Sequence, residues 1–169
     1  MRKICLFFLL TFSVLTLTAQ RYAIIDTKYI LEKIPDYKKA NEKIEEFAEA
    51  WQQEIDLLQA DLDKMYRDFE GEKAMLTPEL LKKREDEIFN KEKQVRDLQR
   101  KRFGYEGDYF KKKQDLVKPI QEKVYNAVQR LASEKMYDFI LDKSEGITVI
   151  FADPKLDKSE EILKFLGIK

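Results

Sequence analysis

The sequence has no histidine, one cysteine, five glycines and four prolines. Histidine is the side chain that most often transfers protons near neutral pH and most often binds metals. Its absence removes most hydrolase triads and zinc sites, so we expect no catalytic residues, no metal site and no cofactor. The 32 basic and 32 acidic residues leave no net charge, which argues against a strong electrostatic hold on nucleic acid.

Charged residues, in contrast, are abundant. They make up 38% of the chain, against about 25% in ordinary globular proteins. Many charges combined with few helix-breaking residues indicate long helices with solvated faces, and the length allows one small domain with an extension.

The first 20 residues have the pattern of a secretory signal peptide. Arg2 and Lys3 precede an uncharged run over residues 4–17, and small residues follow it. We predict cleavage after Ala19 or Gln20 and a location outside the cytoplasm. An uncleaved anchor is the alternative, although the run is shorter than the roughly 20 residues of a membrane span.

Removal of residues 1–20 changes the composition of the chain. Arg2 and Lys3 leave with no acidic residue, so the remainder carries a net charge of −2. Cys5 leaves as well. It lies at the start of the uncharged run, whereas a cysteine that carries a lipid lies after such a run. A secreted chain without disulfides must be held together by packing or by assembly.

Three prolines divide what remains into segments of nearly equal length. Pro35, Pro78 and Pro119 are 43 and 41 residues apart. Since proline is tolerated at helix starts and disrupts helix interiors, we predict one helix over 36–74 and a second over 78–118. Together, residues 36–118 form an antiparallel helical-hairpin (coiled-coil) arm about 60 Å long, with its tip near 75–77 and Thr77 as an N-cap.

The two predicted arm helices differ in hydrophobicity and charge. The first has a heptad seam with one local stutter, whereas the apolar stripe of the second, which includes Tyr105, is interrupted by basic residues. Residues 36–72 carry a net charge of −7 and residues 78–118 a net charge of +4. Opposite charges favour pairing of the two helices. The seam consists of Tyr37, Ala40, Ile44, Phe47, Trp51, Ile55, Leu58, Leu62, Met65 and Phe69.

The two ends of the chain, 21–35 and 119–169, are predicted to form a small body of strands and helices. Strands are predicted over 21–26, 137–141 and 147–152, and short helices over 27–33 and from 157 to Gly167. The fold class is therefore α+β and mostly α. Because so small a body leaves sheet edges open, we predict that it associates with other copies. The candidate oligomer core is Ile24, Ile140, Val149 and Phe151.

This order of elements resembles the Skp/OmpH family of periplasmic chaperones. Three segments carry the resemblance: Arg21–Asp26 (RYAIID), Tyr137–Asp142 (YDFILD) and Asp157–Leu163 (DKSEEIL). The likeness extends over residues 21–169 and is weakest in the arm, where any coiled coil looks similar.

The resemblance implies a homotrimer whose β-barrel body bears three helical tentacles around a cavity. It also implies a periplasmic protein that holds unfolded outer-membrane proteins in transit without ATP. Some members have a basic lipopolysaccharide site, but no motif here matches it. The basic clusters of the second helix leave open a transient contact with a membrane surface.

The candidate client-binding residues are apolar arm residues with no obvious partner, and ordinary hairpin packing is the alternative for each. A different class of function is an envelope spacer or adaptor whose arm binds one folded partner. An enzyme is disfavoured, because runs such as Glu85-Asp86-Glu87 are more simply solvated helix faces. The candidates are Phe69, Met75, Leu76, Phe89, Phe103 and Phe110.

Overall fold

The computed structural model describes residues 20–144, 146 and 149–168. The predicted signal peptide lies outside them, except for Gln20. The chain divides into two compact units. One, the hairpin unit, comprises Ile34–Glu122. The other, the α/β unit, comprises the chain up to Lys33 together with the chain from Lys123 onward.

The hairpin unit is built on two long helices that pack against each other. Helix α2 spans Pro35–Glu72, a 3₁₀ turn follows at Lys73–Met75, and α3 spans Pro78–Phe103. The Thr77 side chain accepts a hydrogen bond from the Leu80 N–H, as expected of an N-cap preceding a first-turn proline. The predicted antiparallel hairpin and its tip are thus present.

Heptad spacing accounts for the hairpin core. On α2 the buried residues Ile55, Leu62 and Phe69 are seven residues apart, and on α3 so are Ile88 and Val95. A seven-residue repeat keeps one stripe of each helix turned toward its neighbour, so these side chains leave water together. The predicted seam of α2 therefore supplies the core residues in this part of the hairpin.

The second predicted arm helix differs from the observed structure in two respects. Helix α3 ends at Phe103, and a new helix, α4, runs over Asp108–Lys135. Residues 104–107 thus interrupt the helix, and Tyr105, predicted on the apolar stripe, is almost fully exposed. Pro119 lies inside α4 and does not end it. Burial of the adjacent Val117 and Ile120 offsets the backbone hydrogen bond that proline cannot make.

The α/β unit brings the two ends of the chain together in a two-stranded sheet. Strand β1 (Tyr22–Ile25) pairs in parallel with β2 (Phe139–Asp142), with Tyr22 opposite Phe139. Helix α1 (Thr27–Lys33) has the predicted bounds. A 3₁₀ turn at Pro154–Leu156 precedes helix α5 (Ser159–Phe165), shorter than predicted. On the edge of β1 that does not face β2, the Ile24 carbonyl accepts a hydrogen bond from the Lys158 N–H (2.8 Å).

Aliphatic side chains from every helix of this unit form its core. Ile30 of α1, Leu131 of α4 and Ile162 of α5 have no more than trace exposure, and Ala23 of β1 is fully buried. Burial of such side chains stabilises a fold by about 1.5–3 kcal/mol each. The N-terminal strand is therefore part of a core that also contains Leu131 and Ile162, which lie more than 100 residues later in the sequence.

The third predicted strand, 147–152, is not found in the part of it that the structure describes. Residues 149–152 have no regular secondary structure, and Ile147 and Thr148 lie outside the described residues. Ile150 and Phe151 are strongly exposed. A β-branched sequence forms a strand only beside a partner strand that buries its side chains, and this segment has none among the described residues of the chain.

A hydrogen-bond network closes the carboxyl end of the sheet. The Asp142 carboxylate accepts from the Thr27 hydroxyl (2.5 Å), the Thr27 N–H (3.2 Å) and the Ser144 N–H (2.9 Å). Partial burial acts to raise the pKa of Asp142, but these donors outweigh it, and the pKa lies below its ordinary value. The ionised carboxylate is therefore the form that the fold favours.

The Asp142 network predicts a specific pH dependence of stability. A carboxylate with a lowered folded-state pKa stabilises the fold above its unfolded pKa, near 4, and loses that contribution as pH falls through the folded-state value. We expect Asp142→Asn to cost roughly 1–2 kcal/mol at pH 7. Urea unfolding of both proteins from pH 7 to about 2.5 should show the difference shrinking as pH falls. Thr27→Val, which removes one of the donors to Asp142, should likewise make stability depend less on pH than in the unsubstituted protein. A difference independent of pH would contradict this account.

Across the described ranges of the chain, no helix is long and apolar enough to cross a membrane.

Candidate binding surfaces

Exposed apolar side chains are distributed along the hairpin unit. Met75 at the tip is 79% exposed, Phe89 on α3 59%, and Phe110 at the start of α4 is also exposed. Each belongs to the predicted client-binding set. Leu57, Leu80 and Tyr105 are exposed in the same unit and were not predicted, because sequence spacing alone does not show which apolar residues the hairpin leaves uncovered.

Two of the predicted binding residues have packing roles in this structure. Phe69 is only 7% exposed and belongs to the cluster formed by Leu62, Ile88 and Val95, and Leu76 packs against that cluster from the tip. The Lys73 ammonium lies 5.5 Å from the Phe69 ring centroid. The structure therefore favours the packing alternative for Phe69 and Leu76.

Phe103 belongs to an aromatic cluster that the sequence did not reveal. The cluster consists of Phe47, Trp51, Phe103 and Tyr109. Phe47 stacks on Trp51 (5.7 Å between centroids), Trp51 meets Phe103 edge to face (6.3 Å), and Phe103 contacts Tyr109 (6.1 Å). The available signals were the two seam aromatics and the nearby glycines, but only the interruption after Phe103 brings rings of α2, α3 and α4 together.

Two cations lie over the aromatic cluster. The Arg102 guanidinium is 5.2 Å from the Trp51 ring and the Lys112 ammonium 5.0 Å from the Phe47 ring. Arg102 also donates to Asp108 (2.6 Å) and Glu54 (2.9 Å). The hydrogen bond to Asp108, followed by that to Glu54, raises the pKa of Arg102, so its charge is permanent.

Ion pairs join the acidic first helix to the basic second one, as the charge asymmetry predicted. Lys91 of α3 contacts Asp61 of α2 (3.2 Å), and Arg84 contacts Glu72 (3.6 Å). Exposed pairs of this kind contribute about 0–1 kcal/mol each. Their effect is therefore on which faces of the two helices meet more than on the stability of the hairpin.

Three of the four predicted oligomer core residues line an open, largely apolar hollow in the α/β unit, and Ile140 is not among its lining residues. Ile24 is already buried within the single chain, Ile140 and Val149 are partly buried, and Phe151 is 83% exposed. The hollow has a volume of about 640 Å³, and Ile24, Val149 and Phe151 line it. Tyr22 and Leu141 also contribute to its wall.

The acidic residues offer no evident metal centre. Within the described part of the chain, no three or more carboxylate or thiol side chains converge as a metal site would require. The features that distinguish the surface are exposed apolar groups and charge.

The fold is mostly helical, with one small sheet. It combines a long helical hairpin with a unit in which the N-terminal strand β1 pairs with the late strand β2. Residues 21–166 match the sequence profile of the family described as outer membrane protein (OmpH-like). The chain belongs to this OmpH-like family, which confirms the resemblance found in the sequence.

One similar structure is the crystal structure of a candidate outer membrane chaperone (OmpH-like) from Caulobacter crescentus CB15. The likeness has a TM-score of 0.69 at 12% sequence identity and covers 88% of this chain and 85% of that one. At this identity it supports the fold. No curated protein sequence matches the chain.

Proposed function

We propose that the protein is a periplasmic chaperone that binds unfolded outer-membrane proteins in transit, without ATP, and prevents their aggregation. Membership of the OmpH-like family supports a chaperone role, as does the similarity to the Caulobacter crescentus candidate. The observation that carries the proposal is the set of exposed apolar side chains on the hairpin unit, represented by Met75, Phe89 and Phe110.

The distribution of these side chains suits weak binding of many sequences. They are separated along the helices by charged residues, which favours several small contacts over one extended contact. An unfolded polypeptide contacts several such sites at once, and flexible long side chains adapt to different sequences. Binding of this kind lowers the free concentration of aggregation-prone chain and requires no chemical step.

We further propose that the functional form is a homotrimer assembled through the α/β unit into a β-barrel body. The exposed Phe151 and the hollow beside it support this, since a monomer would leave them in water. A transient contact of the basic side chains of α3 with a membrane surface is compatible with this role. Secretion by a signal peptide cleaved after Ala19 or Gln20 would place the protein in the periplasm.

Suppression of aggregation tests the proposed activity. An unfolded outer-membrane protein is diluted from urea into buffer without ATP, and light scattering is recorded with and without the protein. We expect suppression at a ratio of one trimer per client, and suppression of several unrelated clients. No suppression at that ratio would refute the proposal. A tight complex with one folded envelope protein instead would favour the adaptor function.

Substitution of the exposed arm residues locates the binding surface. We expect Met75→Ser/Phe89→Ser/Phe110→Ser to weaken client binding about ten-fold, measured by fluorescence anisotropy, because three apolar contacts of order 0.5 kcal/mol each are lost. The thermal midpoint should change little, since all three side chains are exposed.

Tyr125→Ser/Met136→Ser is the control, because these apolar residues are similarly exposed and lie outside the hairpin unit. Client affinity should be unchanged in it. Equal weakening by the triple variant and by this control would contradict a binding surface on the hairpin.

A further inference from the structure

The interruption between α3 and α4 has a defined backbone geometry. The Gly104 N–H donates to the Arg100 carbonyl (2.8 Å), the Gly107 N–H to the Gly104 carbonyl (2.9 Å), and the Lys111 N–H to the Gly107 carbonyl (3.1 Å). The chain therefore leaves one helix, turns within four residues and enters the next, and these three backbone hydrogen bonds fix the turn. Such a segment is a bend with a specific conformation.

Both glycines are required by this bend. A Cβ at Gly104 would lie 2.3 Å from the Arg100 carbonyl oxygen, and one at Gly107 would lie 2.9 Å from two backbone oxygens. Between them, Glu106 has φ +53°, in the left-handed region that residues with a Cβ mostly avoid. The bend is thus locally strained. Its flanks, rich in Lys, Arg and Gln, are strong helix formers, so a more continuous helix is the competing conformation despite the two glycines.

Arg102 supplies contacts that offset this local cost. It is the penultimate residue of α3, and its guanidinium bridges Asp108, the first residue of α4, and Glu54 of α2. It also lies over the Trp51 ring, and the side chain is only 20% exposed. One side chain therefore links both sides of the bend to the facing helix. A planar guanidinium can make these contacts simultaneously, whereas a lysine ammonium cannot.

We propose that residues 104–107 are a hinge within the hairpin unit and that Arg102 is the latch that holds it in the bent state. With the latch closed, α4 leaves α3 in one direction. With the Arg102 contacts broken, the strained bend exchanges with straighter conformations of the same segment. The latch is a property of the hairpin unit and stands whether or not the proposed chaperone function is correct.

A distance measurement across the bend tests the latch. Gln94 on α3 and Gln114 on α4 are exposed, and residues 21–169 contain no cysteine, so Gln94→Cys/Gln114→Cys gives two labelling sites once Cys5 is replaced by serine. Pulsed electron paramagnetic resonance then reports the distance between two spin labels. Labelled chains are refolded with excess unlabelled protein so that only pairs within one chain are seen.

The expected results differ between variants. The latched protein should give one narrow distribution shorter than the about 30 Å expected for 20 residues of continuous helix. Arg102→Met keeps the apolar stem over Trp51 and removes the charge, and should broaden the distribution about two-fold toward longer distances. Arg102→Lys should be intermediate. Gly104→Ala/Gly107→Ala, which cannot adopt the bend, should move the maximum to about 30 Å.

Arg96→Met is the matched control, because Arg96 pairs with Glu92 inside the same helix and does not cross the bend (3.4 Å). Its distribution should match that of the unsubstituted protein. The proposal is overturned if Arg102→Met leaves the distribution unchanged, or if Arg96→Met broadens it equally. Should Arg102→Met lose helical circular dichroism, Asp108→Asn, which removes the carboxylate charge that pairs with Arg102, answers the same question with the same two outcomes.

Discussion

Phe151→Asp is expected to convert the proposed trimer to monomers at micromolar concentration. Phe151 is 83% exposed in the single chain, so the substitution removes no contact on which the fold of one chain depends. In an assembly that covers the hollow beside it, each buried phenylalanine contributes about 1.5–3 kcal/mol, and three carboxylates at the interface would in addition have to lose water. Sedimentation equilibrium measures the change, with circular dichroism as the check on folding.

Met75→Asp is the control for this experiment, because Met75 has nearly the same exposure and lies at the hairpin tip. We expect it to leave the trimer intact and to reduce client capture. Equal loss of assembly in both variants would contradict a division of labour between the α/β unit and the hairpin. A monomeric unsubstituted protein at micromolar concentration would refute the trimer itself.

Leu62→Ala is expected to destabilise the hairpin unit by about 2–4 kcal/mol. Leu62 is 5% exposed and packs with Phe69, Ile88 and Val95 between α2 and α3. Its truncation removes the transfer free energy of the lost methyl and methylene groups and leaves a cavity that rigid helices fill poorly. Urea denaturation monitored by circular dichroism gives the difference.

Leu57→Ala is a close control, since it makes the same chemical change five residues earlier on the same helix, at a side chain that is 71% exposed. We expect a change within about 0.5 kcal/mol. Comparable destabilisation by the two variants would show that the two helices are not packed through the seam described above.

The hairpin was predictable from the sequence because its signals are local and repeated. The seven-residue spacing through Leu62 and Phe69, the proline and threonine at the start of α3, and the opposite charges of the two helices all favour the same antiparallel pairing. Helix α1 was predicted because its signals are also local: it follows a predicted strand and ends just before Pro35. The family resemblance depended on the segments at the two chain ends, which the structure pairs as β1 and β2.

Other features depend on groups that are distant in sequence. Residues 149–152 have the composition of a strand, but a strand forms only when it pairs with another, and this segment pairs with neither strand of the described sheet. Pro119 signals a helix end, but burial of its neighbours on α4 outweighs that signal. The exposure of Met75 and Phe89 and the burial of Phe69 likewise follow from which faces of the hairpin meet.

The sequence by itself determined the class of this protein: a hairpin of oppositely charged helices, a small α/β unit made from both chain ends, and a surface without histidine for catalysis. These follow from composition and from the periodicity of apolar residues, which are properties of local sequence. Only the tertiary structure decided where α3 ends and which apolar residues remain exposed. It also decided that Arg102 meets Asp108, Glu54 and Trp51 at the bend, because such contacts join three helices and no local pattern encodes them.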